Sequence, residues 1–122
     1  MTGKVPVVAA DAHGLARAAA VLAAGGLVVF PTDTLYGLAA DPRQEAAVLR
    51  IFEVKGRREG VALPLVAGTT AQAEEAGRFD ARGRALAAAF WPGPLSIVVP
   101  AAPRLARAVV AADGTVAVRV PA

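Results

Sequence analysis

The chain contains no cysteine and a single histidine, His13. Without cysteine there is no disulfide framework and no thiolate chemistry. One histidine does not supply the ligand set of a zinc site, and it argues against a Ser-His-Asp triad. We expect His13 to be a surface residue at the start of a helix. A Gly-x-x-x-x-Gly-Lys-Ser/Thr loop is also missing, so a nucleotide would not be held in the P-loop manner.

Long hydrophobic runs are absent as well. The apolar stretches at residues 27–30 and 95–99 fall far short of the roughly 20 residues that a membrane helix needs. The N-terminus lacks the continuous apolar segment of a secretory signal. We therefore expect a cytoplasmic protein with no membrane partner. The hydrophobic content of 56% is rich in alanine, which favours helices.

The length of 122 residues predicts one domain, residues 1–122, with a single core. The net charge of +3 suits phosphate-bearing partners. The basic residues are scattered from Lys4 to Arg119 and do not form the stripe typical of a nucleic-acid interface. Charge alone therefore gives only weak support to an RNA-binding role.

Hydrophobic periodicity and turn residues predict an α/β protein, in which helices alternate with strands. The stretch at residues 27–30 reads as a strand covered on both faces. The segment around Pro64 reads as an edge or irregular strand. Helices are predicted from residue 15 to Gly25-Gly26, from Asp41-Pro42 to Lys55, and twice between 70 and 90 with a break at 77–80; strands are predicted at 5–9, 27–30, 61–66, 95–99 and 115–120.

Two hydroxyls and a carboxylate, on Thr32, Asp33 and Thr34, follow the strand at residues 27–30. In open α/β sheets, ligands bind beyond the carboxyl ends of the strands, and Gly37 would let the backbone approach closely. The same residues would serve equally well as a capped turn at the start of a helix. Their chemistry alone leaves both readings open.

A second polar feature comes where the next helix is predicted to end. Lys55 offers a point charge and Arg57 a planar fork, two complementary ways to neutralise phosphate oxygens. Lys55 is one of two lysines beside 11 arginines. The alternatives are a cation that compensates the helix dipole and a solvated basic loop that continues into Arg58.

The last predicted strand carries Arg119, and Thr115 lies four residues earlier on the same side. The guanidinium of Arg119 could hold a carboxylate bidentately near the threonine turn. Alternatively, Arg119 is a solvent-facing strand residue.

Together these stretches resemble the successive signatures of the YrdC-like domain family. Four segments match in order and spacing across nearly the whole chain: PTDTLYGL at 31–38, KGR at 55–57, WPGPLS at 91–96 and VAVRVP at 116–121. The resemblance implies a twisted mixed β-sheet flanked by helices. It also implies ATP-dependent synthesis of threonylcarbamoyl-AMP from L-threonine and bicarbonate with release of pyrophosphate. The product would pass to a downstream tRNA-modifying enzyme that forms threonylcarbamoyladenosine.

The resemblance further implies which residues bind which substrate. Thr34, Arg119 and Thr32 would contact L-threonine, with Arg119 on its carboxylate. Lys55, Arg57 and Thr115 would contact the ATP phosphates, and Mg²⁺ would accompany ATP. No covalent nucleophile or catalytic base is identified. Positioning and neutralisation of charge would supply most of the catalysis.

The chain departs from the family pattern in two places. Family domains continue for some sixty or more residues beyond the position of Ala122. A Ser-x-Asn motif lies in that further part, and this sequence does not contain the motif. The family's Asn-Pro-Leu and nearby histidine are replaced by Leu63-Pro64-Leu65 without a histidine. The alternatives that remain are a double-stranded RNA-binding module and a non-catalytic partial domain, and self-association through open strand edges is a further expectation.

Overall fold

A computed structural model describes residues 5–32, 35–56 and 63–122. Five strands and four α-helices lie within these ranges, and none of the helices is long and apolar enough to cross a membrane. In chain order the elements are α1 (Ala12–Ala23), β1 (Val28–Pro31), β2 (Tyr36–Ala39), α2 (Glu45–Lys55), β3 (Leu65–Val66), α3 (Thr70–Ala76), α4 (Ala81–Phe90), β4 (Ile97–Pro100), a 3₁₀ helix (Arg107–Val109) and β5 (Thr115–Arg119).

The larger sheet has three strands in the order β3-β5-β4. Val118 of β5 lies at its centre, paired in parallel register with Leu65 of β3 and in antiparallel register with Ile97 of β4. The sheet is therefore mixed, as expected. Pro64 precedes the short edge strand β3, which agrees with the prediction for this segment.

The core lies between one face of this sheet and the helices α2, α3 and α4. Its helical side includes Val48 and Phe52 of α2 and Ala87 of α4. Its sheet side includes Val99 and Val116, which are almost completely buried. The helices α3 and α4 are separated at residues 77–80, as the sequence predicts, and Asp80 begins α4 by accepting a hydrogen bond from the backbone N–H of Gly83.

A separate two-stranded sheet is formed by β1 and β2, which pair as an antiparallel hairpin. Gly37 of β2 lies under the ring of Phe30, and a Cβ at this position would come within 3.2 Å of that ring. Gln44, the residue before α2, connects the start of α2 to the end of α1. Its side-chain amide donates a hydrogen bond to the carbonyl of Ala23 at 3.1 Å.

Three sequence expectations are corrected here. Residues 5–9 form no strand, and Val7 is 96% exposed; an apolar run becomes a strand only where another strand pairs with its backbone. The stretch at residues 27–30 does become β1, but Val29 is 64% exposed, so the strand is not covered on both faces. The expected single sheet is two sheets among the described residues, since β1 pairs with β2 and not with the larger sheet.

Candidate functional site

Thr32 and Leu35 lie next to the ends of the antiparallel strands β1 and β2. Thr32 closes this loop: its hydroxyl donates to the carbonyl of Leu35 at 2.6 Å and accepts from the Leu35 N–H at 3.1 Å. The chain then turns back into β2, so the reading of this segment as the start of a helix is wrong. Nor does β1 belong to an open α/β sheet, because it pairs only with the antiparallel strand β2 among the described residues. Asp33 and Thr34 lie outside the described residues.

Lys55 is the last residue of α2 and is exposed. The helix ends there because Gly56 adopts a left-handed conformation with φ of 66° and its N–H donates back to the carbonyls of Glu53 and Phe52. This glycine cap is a common way to end a helix. A lysine in the last turn also interacts favourably with the helix dipole, by about 0.3–1 kcal/mol. Its partner in the predicted phosphate site, Arg57, lies outside the described residues.

Thr115 and Arg119 lie on the same face of β5, as expected from strand alternation. Burial alternates along this strand, with Val116 and Val118 on the core face. The two residues occupy opposite ends of the strand, about 13 Å apart at the usual rise per residue. Arg119 is paired with Val66 of β3, and its carbonyl accepts a hydrogen bond from the Ala67 N–H at 2.9 Å.

The hydroxyl of Thr115 is engaged by a neighbouring carboxylate. It donates to Oδ1 of Asp113 at 2.6 Å, and the Thr115 N–H donates to the same oxygen at 3.1 Å. These two hydrogen bonds, with the hydroxyl as the larger effect, lower the pKa of Asp113. A negative charge therefore lies beside Thr115, which works against a phosphate in the same place unless Asp113 turns away. The role of Thr115 in phosphate binding stays a prediction.

The predicted site residues thus come from different layers of the fold. Lys55 is on the helical layer, whereas Thr115 and Arg119 are on the opposite face of the sheet. Within residues 5–32, 35–56 and 63–122, no three His, Cys, Asp or Glu side chains are arranged to hold a metal ion. The described residues therefore do not form a magnesium site of their own, and we derive no step through that ion.

The described segments match a known family. The profile of the Sua5/YciO/YrdC family, described as "Telomere recombination", matches residues 20–122. The chain belongs to this family. The resemblance drawn from the four sequence motifs is therefore confirmed.

Two curated members of the family show how much of the protein is shared. The threonylcarbamoyl-AMP synthase of Pyrococcus abyssi is 42% identical over 106 residues, which cover 86% of this chain and 31% of the relative. The threonylcarbamoyl-AMP synthase of Thiobacillus denitrificans is 39% identical over 104 residues, which cover 84% of this chain and 55% of the relative. The matched region thus spans just under a third of one of these relatives and little more than half of the other.

A solved structure of a family member has the same fold. The crystal structure of Pyrococcus abyssi Sua5 complexed with L-threonine superposes with a TM-score of 0.82 at 41% identity, covering 87% of this chain and 32% of that one. The mixed α/β fold expected from the sequence is confirmed by this agreement.

Two features of the Sua5/YciO/YrdC region were missed by sequence reasoning. Asp113 engages Thr115, and the signal for it is the Asp113-Gly114 pair, which is typical of a turn that a carboxylate closes. Leu35 and Tyr36, each 78% exposed, place apolar side chains at the hairpin tip. Their exposure could not be read from the sequence, because it depends on the hairpin that β2 forms.

Proposed function

We propose that this chain supplies part of the substrate site of a threonylcarbamoyl-AMP synthase, an enzyme that condenses L-threonine, bicarbonate and ATP and releases pyrophosphate. The observation that supports it best is the 39–42% identity to proteins of that name over 84–86% of this chain. The agreement in fold with a Sua5 structure that holds L-threonine adds to this support. The threonylcarbamoyl group would then pass to tRNA through a later enzyme.

The threonine end of the site is proposed to be formed by Arg119 together with Thr32 and Thr34. A guanidinium can bind a carboxylate through two parallel hydrogen bonds, which fixes both position and orientation. Arg119 suits this role because pairing with Val66 and a hydrogen bond from the Ala67 N–H fix its backbone at the end of β5. The Thr32 hydroxyl is already bonded within the hairpin loop, so its contribution would be to shape that loop.

The nucleotide end is proposed to include Lys55, Arg57 and Thr115. Lys55 lies beyond Ile51 and Phe52 on the same face of α2, whose earlier residues are packed in the core, so its backbone is fixed while its side chain is exposed at the helix end. A cation in this position would offset the negative charge that develops on the phosphates.

The reaction needs orientation more than a reactive side chain. The amine of threonine attacks the carbon of bicarbonate and water leaves, which gives a carbamate. A carbamate oxygen then attacks the α-phosphorus of ATP, the bond to the bridging oxygen breaks, and pyrophosphate departs. Holding the carbamate in line with that bond can lower the barrier by several kcal/mol, on the order of 7–11 in favourable cases.

A graft tests the proposal while supplying the part of the enzyme that the matched region does not cover. Residues 20–122 of this chain replace the matched region of the Thiobacillus denitrificans synthase, and pyrophosphate release is measured with ATP, L-threonine and bicarbonate. We expect release that requires all three substrates. A graft that unfolds cooperatively but releases no pyrophosphate would contradict the proposal.

The phosphate role of Lys55 is tested in the same graft. We expect Lys55→Ala to raise the KM for ATP about tenfold or more, because a charge-assisted hydrogen bond contributes about 1.5–3 kcal/mol. The KM for threonine should change little. Arg50→Ala is the matched control, since Arg50 is an exposed cation on the same helix. Equal effects of the two substitutions would remove Lys55 from the nucleotide site.

A further inference from the structure

The turn that leads into β5 holds the hydroxyl of Thr115 in one orientation. This hydroxyl donates to Oδ1 of Asp113 at 2.6 Å, and the Thr115 N–H donates to the same oxygen at 3.1 Å. The shorter distance lies in the range of a charge-assisted bond from a hydroxyl to a carboxylate, about 2.5–2.7 Å. The hydroxyl proton of Thr115 is therefore directed at Asp113.

The backbone of the turn is closed by further hydrogen bonds. The Ala111 N–H donates to the Thr115 carbonyl at 2.9 Å, and the Gly114 N–H donates to the Ala111 carbonyl at 2.9 Å. The Ala101 N–H donates to the Gly114 carbonyl at 2.9 Å, which ties the turn to the end of β4. Gly114 has a φ of 83°, a conformation that favours glycine. The backbone thus places the carboxylate of Asp113 beside Thr115.

This orientation decides which kind of ligand group the Thr115 hydroxyl can meet. A hydroxyl has one proton to donate and two lone pairs that accept. Because the proton is given to Asp113, a ligand meets the hydroxyl as an acceptor. The oxygens of a phosphate are acceptors too. A phosphate would bind here only if the hydroxyl left Asp113 and gave up a charge-assisted bond.

We infer that Asp113 is a positioning residue for Thr115, which it orients so that the hydroxyl accepts a hydrogen bond from an N–H or O–H group of a substrate. The inference rests on the proposed function, and it gives Thr115 a role other than contact with the ATP phosphates. Each proposed substrate carries such a donor. L-threonine has its amine and hydroxyl, ATP its ribose hydroxyls and adenine amino group, and bicarbonate its O–H.

The direction of this hydrogen bond is tested with Asp113→Ala in the graft of residues 20–122. Without the carboxylate the hydroxyl is no longer fixed as an acceptor, so we expect the KM for the substrate that donates to it to rise about threefold or more. The KM that rises identifies the source of the donor. A phosphate contact predicts the opposite sign: the KM for ATP would fall, because the hydroxyl becomes able to donate and a neighbouring negative charge is removed.

A double-mutant cycle tests whether Asp113 acts through Thr115. Thr115→Val removes the hydroxyl, keeps the shape of the side chain and should raise the same KM. Adding Asp113→Ala to Thr115→Val should change that KM no further, because there is no hydroxyl left to orient. Asp113→Asn should keep most of the original KM, since its amide oxygen accepts the same two bonds. Glu75→Ala, which removes an exposed carboxylate on α3, is the control and should leave every KM unchanged.

The contact between the two side chains is measured separately, in the 122-residue chain without substrates. The bonds from Thr115, with the hydroxyl as the larger effect, lower the pKa of Asp113. Thr115→Val should therefore raise this pKa, whereas Thr115→Ser should keep it low. Carboxyl carbon chemical shifts report the pKa of the assigned residue. An Asp113 pKa that is the same with and without the hydroxyl would overturn the orientation.

Three kinetic results would also overturn the inference: a KM for ATP that falls in Asp113→Ala, KM values that all stay unchanged, and additive effects in the cycle. If Asp113→Ala does not unfold cooperatively, Asp113→Ser replaces it, since a serine hydroxyl supports such turns without a charge. If the graft binds substrates without turnover, dissociation constants replace the KM values. A graft that neither turns over nor binds substrate would remove the proposed function and with it the ligand of Thr115, whereas an Asp113 pKa that depends on the hydroxyl would leave the orientation standing.

Discussion

At the scale of single residues, Thr115 and Arg119 differ in how they are held. Thr115 is bound through its hydroxyl and its N–H to the carboxylate of Asp113. Arg119 has its backbone fixed by β3. Arg119 carries the first prediction, because a guanidinium can bind a carboxylate through two parallel hydrogen bonds.

Arg119→Ala should weaken the response of the grafted synthase to L-threonine. We expect the KM for threonine to rise about tenfold or more, because one charge-assisted contact contributes about 1.5–3 kcal/mol, while the KM for ATP changes little. Arg82→Ala is the control, since Arg82 is an exposed arginine on the helical side of the sheet. Initial rates at varied threonine check this, and a rise in the KM for ATP alone would reassign Arg119 to the nucleotide.

Asp41 and Arg43 give a prediction about pH. The Arg43 side chain, with its two hydrogen bonds to the Asp41 carboxylate, lowers the pKa of Asp41 from 3.8 to about 2, and the bonds from the Arg43 N–H and from Gln44 add to it. Because the pKa is lower in the folded state, this contribution to stability is complete above pH 3.8 and is lost as the pH falls towards 2.

Arg43→Ala should raise the pKa of Asp41 towards its ordinary value and reduce the loss of stability over that range of pH. Carboxyl carbon chemical shifts give the pKa, and urea unfolding midpoints between about pH 2 and 5 give the stability. Arg50→Ala is the control and should leave both unchanged. An unaltered pKa in Arg43→Ala would show that another group sets it.

At the scale of elements, some features follow from local sequence and others do not. The end of α2 at Gly56 and the break between α3 and α4 are set by local signals, a left-handed glycine and the capping Asp80, and both were predictable. The strand β2 was missed because it is four residues long, contains Gly37, and forms only by pairing with β1. The strand predicted at residues 5–9 is absent, because this apolar segment has no neighbouring strand to pair with.

The positions of the candidate site residues could be predicted only where their helix or strand could be predicted. Position on β5 placed Thr115 and Arg119 on one face correctly. That Lys55 belongs to the other layer could not be deduced, because it depends on which side of the sheet α2 packs. The Asp113-Gly114 pair signals a turn in the sequence, but the hydrogen bonds from Thr115 to Asp113 depend on the geometry of that turn.

Gln44 gives a prediction about how α1 is held. Its amide donates to the carbonyls of Ala23 and Leu22 at the end of α1, at 3.1 and 3.4 Å. Gln44→Ala removes both bonds, so the amides of α1 should exchange with deuterium faster, while those of β4 and β5 keep their protection. Gln72→Ala is the control, since Gln72 accepts a bond from Gly68 elsewhere in the fold. Equal acceleration across all elements would indicate global destabilisation instead.

At the scale of the whole molecule, α2, α3 and α4 pack against one face of the three-stranded sheet among the described residues. The core is closed by Val48, Phe52, Val116 and their neighbours, whereas the predicted residues Thr115 and Arg119 are half-buried on the other face of the sheet. A threonylcarbamoyl-AMP synthase built on this region would therefore complete its substrate site with polypeptide from outside it.

The most direct test is the identity of the product. The graft of residues 20–122 into the Thiobacillus denitrificans synthase is supplied with ATP, L-threonine and ¹³C-labelled bicarbonate, and the products are separated and weighed by mass spectrometry. We expect threonylcarbamoyl-AMP that carries one heavy carbon, and we expect its yield at L-threonine concentrations below the KM to fall in Arg119→Ala but not in Arg82→Ala. Folded protein that yields AMP or ADP without the labelled adduct would contradict it.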